Sequence, residues 1–173
     1  NFAVIGRGFT VDDNERVARR AAVSGTYFVR VFSFLQIDND YSMTLAVLPE
    51  DSCLEDNDEE NDTREDAVRV FEGARSGLGL CQADQETEED WYSFAVTEGQ
   101  NISATITFVH ADGDLDFELY RGEEEAPLVR AYGFRDSETV DLDTAPAGTY
   151  FVRVFSFTRT TLRSDYSLLV DLN

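Results

Sequence analysis

Gly25–Phe34, GTYFVRVFSF, recurs unchanged as Gly148–Phe157. Each copy is followed by a short loop and then Asp-Tyr-Ser, at Asp40–Ser42 and again at Asp165–Ser167. Upstream, Glu15-Arg16-Val17 matches Glu138-Thr139-Val140 at the same spacing from its copy. Self-similarity over a long period is the signature of a modular array. Residues 1–49 therefore read as the C-terminal half of a module. Residues 67–173 read as a complete copy, and 50–66 as the linker between them.

Working outward from the repeat, alternation of apolar and polar residues dominates. Ala67–Phe71, Trp91–Thr97, Asn101–Phe108, Asp114–Arg121, Leu128–Tyr132, Glu138–Leu142, Thr149–Phe157 and Tyr166–Leu172 read as strands. They are rich in β-branched and aromatic residues and are punctuated by Gly, Asp and Pro. Turns are expected at Glu98-Gly99-Gln100, Ala111-Asp112-Gly113 and Ala145–Gly148. Short strands at this spacing predict an all-β antiparallel sandwich built as a tandem repeat. Asp13–Ala22 is the one helix candidate, and the repeat argues for strand there.

The formal charge is −21 over 173 residues, and all fourteen basic residues are arginine. Nucleic acid is an unsuitable partner for such a surface, whereas cations suit it. No apolar run is long enough for a membrane-spanning helix. No signal peptide is visible, which reads as a mature form or a fragment. The linker, EDSCLEDNDEENDTRED, holds ten Asp or Glu among seventeen residues. Left free, it would be extended by self-repulsion. The two cysteines, Cys53 and Cys81, lack a four-ligand zinc pattern. A disulfide formed in an oxidising compartment is expected; two buried thiols are the alternative.

The order and spacing of several pieces resemble the bacterial pre-peptidase C-terminal domain, including the collagen-binding domains of clostridial collagenases. The pieces are Asp90-Trp91-Tyr92-Ser93-Phe94, Gly99-Gln100-Asn101-Ile102, Gly113–Tyr120, Ala147–Val154 and Tyr166-Ser167-Leu168. The resemblance implies a jelly-roll-like β-sandwich, secretion and no catalytic activity of its own. Calcium-binding members carry acids and asparagines in the linker before the first strand. Glu59, Asn61 and Asp62 stand there, with Asp90 opposite and Asn57 and Glu88 as further candidate ligands. The physical argument agrees, because calcium takes six to eight oxygen ligands and relieves repulsion among clustered acids. A solvated acidic linker without metal is the alternative. The family proline is replaced by Glu60, and Gln85-Glu86-Thr87 reads as an insertion.

Period-2 alternation puts Tyr150, Val152, Val154 and Ser156 on one face of the repeated strand. Phe151, Arg153, Phe155 and Phe157 occupy the other, as Phe28, Arg30, Phe32 and Phe34 do in the half copy. The resemblance turns the second set outward, where it forms either a contact surface or a face covered by a neighbour. Asp114 and Asp116 share a face, and bonding to nearby backbone is expected of them rather than acid–base chemistry. His110 is the sole histidine. No triad, phosphate loop, dinucleotide fingerprint or HExxH accompanies it, so the chain reads as non-enzymatic. Three functional readings follow. One is a secreted, calcium-stabilised module that binds an extracellular polymer such as a collagen-like protein or a polysaccharide. Another is a fibre or adhesin subunit assembling head to tail with neighbouring copies. The third is a fragment of a secreted enzyme.

Overall fold

The computed structural model describes residues 4, 8, 17, 25–33, 40–47, 53, 55–81, 88–159 and 163–173. Nine strands form among them: β1 (Val68–Arg69), β2 (Gly73–Cys81), β3 (Glu89–Val96), β4 (Gln100–Phe108), β5 (Gly113–Arg121), β6 (Val129–Ala131), β7 (Ser137–Ala145), β8 (Gly148–Arg159) and β9 (Arg163–Leu172). They make two sheets, a five-stranded one in the order β1-β3-β8-β5-β6 and a four-stranded one in the order β2-β9-β4-β7. Pairing is antiparallel except that β1 runs parallel to β3. The expected β-sandwich is present.

The core lies between the sheets and follows the alternation. Tyr92, Phe94 and Val96 of β3, Leu115, Phe117 and Leu119 of β5, and Tyr150, Val152 and Val154 of β8 point inward. They meet Ile102, Ala104 and Ile106 of β4, Val140 of β7, and Tyr166, Leu168 and Val170 of β9. Each large side chain buried this way stabilises the fold by about 1.5–3 kcal/mol before entropy is counted. Between Ala145 and Gly148 the chain turns tightly into β8, and the Tyr150 hydroxyl donates to the Pro146 carbonyl at 3.0 Å.

Strand β2 is absent from the sequence reading, because GARSGLGLC looks like a loop. Its glycines have a structural use instead. The register against β9 shifts between Ser76 and Leu78, and Gly77 sits at that bulge with φ +82°. A left-handed residue of this kind is readily supplied by glycine. The bulge leaves Leu78 and Leu80 both buried.

Nine of the ten residues repeated in β8 are described in the first copy, and these nine form no strand. Residues 25–33 carry no regular structure and are exposed, as are 40–47. A strand needs neighbours for its backbone groups and a core for one face, and β8 has both because β3 and β5 flank it. Phe34 and, apart from Val17, the helix candidate Asp13–Ala22 lie outside the described residues.

The cysteines are joined. Cys53 is bonded to Cys81 across 28 residues, with Cα atoms 5.5 Å apart, which ties the linker to the end of β2. In the chain-entropy description, closing a loop of this length is worth about 3–4 kcal/mol. The Cys53→Ser, Cys81→Ser double variant is expected to lose about that much stability in urea titrations. A loss below about 1 kcal/mol would show that the linker is held by its other contacts.

Candidate metal and binding site

Residues 55–66 of the acidic linker are folded onto the sandwich. The Gly79 N–H of β2 donates to Asp56 Oδ2 at 2.7 Å, and the Asp58 N–H donates to Asp56 Oδ1 at 2.7 Å. Arg75 of β2 grips Asp58 through both carboxylate oxygens, Nε to Oδ2 at 2.6 Å. Further along, Asn61 adds to the edge of β3. The Trp91 N–H donates to the Asn61 carbonyl at 2.8 Å, and Asn61 Nδ2 donates to the Trp91 carbonyl at 3.3 Å.

This path brings several of the expected ligand residues together. Asn61 is fully buried, and its Oδ1 has no hydrogen-bond partner. Asp90, at the start of β3, is 1% exposed and accepts a hydrogen bond from the Tyr166 hydroxyl, which in turn lies 2.7 Å from that of Tyr92. Burial pushes the Asp90 carboxyl well above its ordinary range; the Tyr166 hydrogen bond opposes this, and the nearby charges of Glu59, Asp56 and Glu88 add to it. Glu59 is half-buried and pushed up to about 8, by desolvation and then by Asp56, Asp62 and Glu55. Asp62 is exposed at the rim, and partial desolvation and its acidic neighbours Glu60, Glu55, Glu89 and Asp66 raise it. Asp56, missing from the sequence-based ligand set, is buried and raised, chiefly by desolvation. Nothing in its sequence context separates it from the other linker acids; its selection comes from the β2 amide that it meets. Asn57 is exposed and Glu88 half-buried. Among the described residues, no three Asp, Glu, His or Cys side chains converge as a ready-made metal cluster. An oxygen site here therefore needs amide or backbone donors beside its carboxylates.

The second candidate surface is the outer face of the five-stranded sheet. Register places Trp91, Arg153 and Glu118 in one row across β3, β8 and β5, with Ser93, Phe151 and Tyr120 in the next. Arg153 does not project freely from this face. Its Nε donates to Glu89 Oε2 at 2.8 Å and its Nη1 to Glu118 Oε2 at 3.1 Å, while its guanidinium carbon lies 4.3 Å from the Phe155 ring centroid. Burial tends to raise the Glu118 carboxyl, but hydrogen bonds from Tyr120, Tyr132 and Arg153 outweigh it and hold the group below its usual value. Phe151 and Phe155 are partly buried, whereas Phe157 is 70% exposed. In the first copy Phe28 and Phe32 are 73% and 51% exposed, and Arg30 lies over Phe32 at 5.0 Å.

Asp114 and Asp116 lie on the same outer face, both nearly inaccessible. The backbone bonding expected of them does not account for Asp114 Oδ1. That atom faces His110 Nδ1 at 3.3 Å without the alignment of a hydrogen bond. The His110 ring packs near Phe108 and Phe134. Asp116 is pushed up to about 6 by desolvation and by the charges of Asp114, Glu138 and Glu118.

Residues 88–156 match the model of the bacterial pre-peptidase C-terminal domain. The likeness to that family extends over these residues. Pre-peptidase C-terminal domains are non-catalytic accessory modules. In fold, the chain is similar to the pre-peptidase C-terminal domain of collagenase from Bacillus anthracis, with 19% identity and a TM-score of 0.50 over 61% of this chain and 94% of that one. It is also similar to the periplasmic inhibitor of g-type lysozyme, PliG, from Aeromonas hydrophila, with 14% identity and a TM-score of 0.45 over 62% and 96% of the two chains. The PliG of Salmonella Typhimurium matches at 14% identity and a TM-score of 0.37 over 61% and 97%. No curated protein matches the chain. No helix among the described residues is long and apolar enough to cross a membrane.

Arg153→Met takes from Glu89 and Glu118 the guanidinium that bridges them, leaving Glu118 only Arg130 at 3.6 Å, and a loss of about 2–3 kcal/mol is expected in chemical denaturation. Asp116 binds its proton more tightly folded (about 6) than unfolded (3.8). Its contribution is therefore fully present below about pH 4 and declines as pH rises through about 6. Thermal melts of Asp116→Asn are expected to lack that part of the decline seen in the parent chain.

Proposed function

We propose that this chain is a non-catalytic, calcium-stabilised β-sandwich module that attaches to an extracellular polymer or surface. The observation that carries the reading is the linker site, where a buried Asn61 Oδ1 has no protein partner beside carboxylates raised by burial and mutual repulsion. The donor set fits calcium, which accepts carboxylate, amide and backbone oxygens together. Asn61, Asp90 and Glu59 would hold the ion, with Asp62, Asp56, Asn57 and Glu88 as neighbouring donors. Bound calcium would supply the positive charge that this group of acids lacks and fix the linker against β3.

Extracellular placement is supported by the disulfide, which persists in oxidising compartments. Attachment is supported by the fold shared with a domain of a collagenase and by the aromatic and arginine residues of the outer sheet face. The partner class is a collagen-like protein or a polysaccharide. A non-catalytic role is supported by the family match.

Residues 1–49 favour a second reading. Tyr27, Phe28, Val29, Val31 and Phe32 are all at least 47% exposed in a segment whose twin is a central strand. Such a segment calls for β3-like and β5-like neighbours, supplied within a longer array or by another chain in a fibre. In this sequence the slot between β3 and β5 is already filled by β8. Assembly of identical copies would therefore require a further slot.

Calorimetric titration tests the first reading. Calcium is expected to bind and to raise the melting temperature, and Asn61→Ala with Asp90→Asn to abolish both effects. Equal melting in calcium and in chelator would overturn the metal site. In a bead pulldown on insoluble collagen and on cell-wall glycan, Phe157→Ala with Phe155→Ala is expected to lower retention several-fold, and unchanged retention would move the contact elsewhere.

A further inference from the structure

The outer sheet face already holds a guanidinium, and it comes from the linker. The Arg64 guanidinium carbon lies 4.5 Å from the ring centroid of Tyr120, 4.9 Å from that of Trp91 and 5.7 Å from that of Phe151. Its Nη1 donates to the carbonyls of Glu124 at 2.8 Å and Gly122 at 3.3 Å. Three rings and two carbonyl oxygens suit a planar cation, giving faces for stacking and acceptors for its N–H groups. The rings belong to β3, β5 and β8, which are adjacent strands, so the sheet fixes their spacing. Arg64 instead belongs to the segment before β1. The backbone of that segment is held at Asn61, which leaves the side chain of Arg64 able to swing away without unthreading the linker. Beside the site, Glu123, Glu124 and Glu125 are exposed, and the field of a chain with net charge −21 draws cations toward it.

Building on the binding-module reading, we propose that Trp91, Tyr120, Phe151 and the Gly122 and Glu124 carbonyls form a guanidinium site closed in cis by Arg64, whose partner is an arginine-bearing polypeptide. The partner's arginine takes the place of Arg64, and like replaces like. Arg64 is tethered, so it competes at an effective concentration on the order of millimolar and weakens the apparent affinity by the fraction of time that the site is open.

Trp91 is the only tryptophan, so its fluorescence reports on this site directly. The full chain is titrated with acetyl-Gly-Arg-Gly-amide and with the same peptide carrying lysine. Arg64→Ala is expected to bind the arginine peptide at least about tenfold more tightly than the parent. The lysine peptide should gain little, and Phe151→Ala in the same background should remove the gain. Arg64→Gln, which keeps a donor for the two carbonyls, serves if the alanine variant folds poorly and should show the same gain. Equal affinity of the parent and both Arg64 variants, or an equal gain for lysine, overturns the site. The bead pulldown separates this result from the reading beneath it. An Arg64→Ala chain that holds the polymer but gains nothing for arginine sinks the guanidinium site alone. One that gains arginine binding but holds no polymer supports the site and removes the polymer as its use.

Discussion

The molecule depends on one strand in one slot. β8 lies between β3 and β5, with its backbone paired on both sides and Tyr150, Val152 and Val154 pressed into the core. Its outer residues organise the opposite face. Arg153 spans from Glu89 to Glu118, and Phe151 and Phe155 pack beside it. Residues 25–33, which carry the same sequence, form no strand and are exposed. Identical chemistry gives a strand or no strand according to what stands beside it.

Trp91 is the joint between sandwich and linker. Its backbone N–H and C=O both engage Asn61, while its ring lies under Arg64 and near Arg153. The carboxylates of the linker site are therefore attached to the same strand that carries the aromatic surface. The linker reaches the outer face at Trp91 and, through the Arg64 side chain, at Tyr120 and Phe151.

Electrostatics gives this arrangement its character. Folding gathers Asp56, Glu59 and Asp90 at one end of the sandwich, and Asp114, Asp116 and Glu118 along the outer face of β5. The two sets are handled differently. Glu118 has Arg153 and two tyrosine hydroxyls, and its carboxyl is lowered. Asp90 has one tyrosine hydroxyl and a surplus of like charge, and its carboxyl is raised. Buried carboxylates of the second kind favour a proton or a cation.

The sequence alone determined the β-sandwich and eight of the strands, because period-2 alternation and turn residues act locally, and its motifs carried the resemblance that the family match over residues 88–156 bears out. It also pointed to the disulfide. Tertiary structure decided the rest. β2 is a strand because β9 offers it a partner and Gly77 permits a bulge, and no local pattern carries that information. Asp56 became a buried member of the acidic site because an amide of β2 meets it. The outward aromatic stripe proved partly covered, because Arg64, distant in sequence, stacks on it. Periodicity states which way a side chain points; what waits there depends on contacts between segments far apart in the chain.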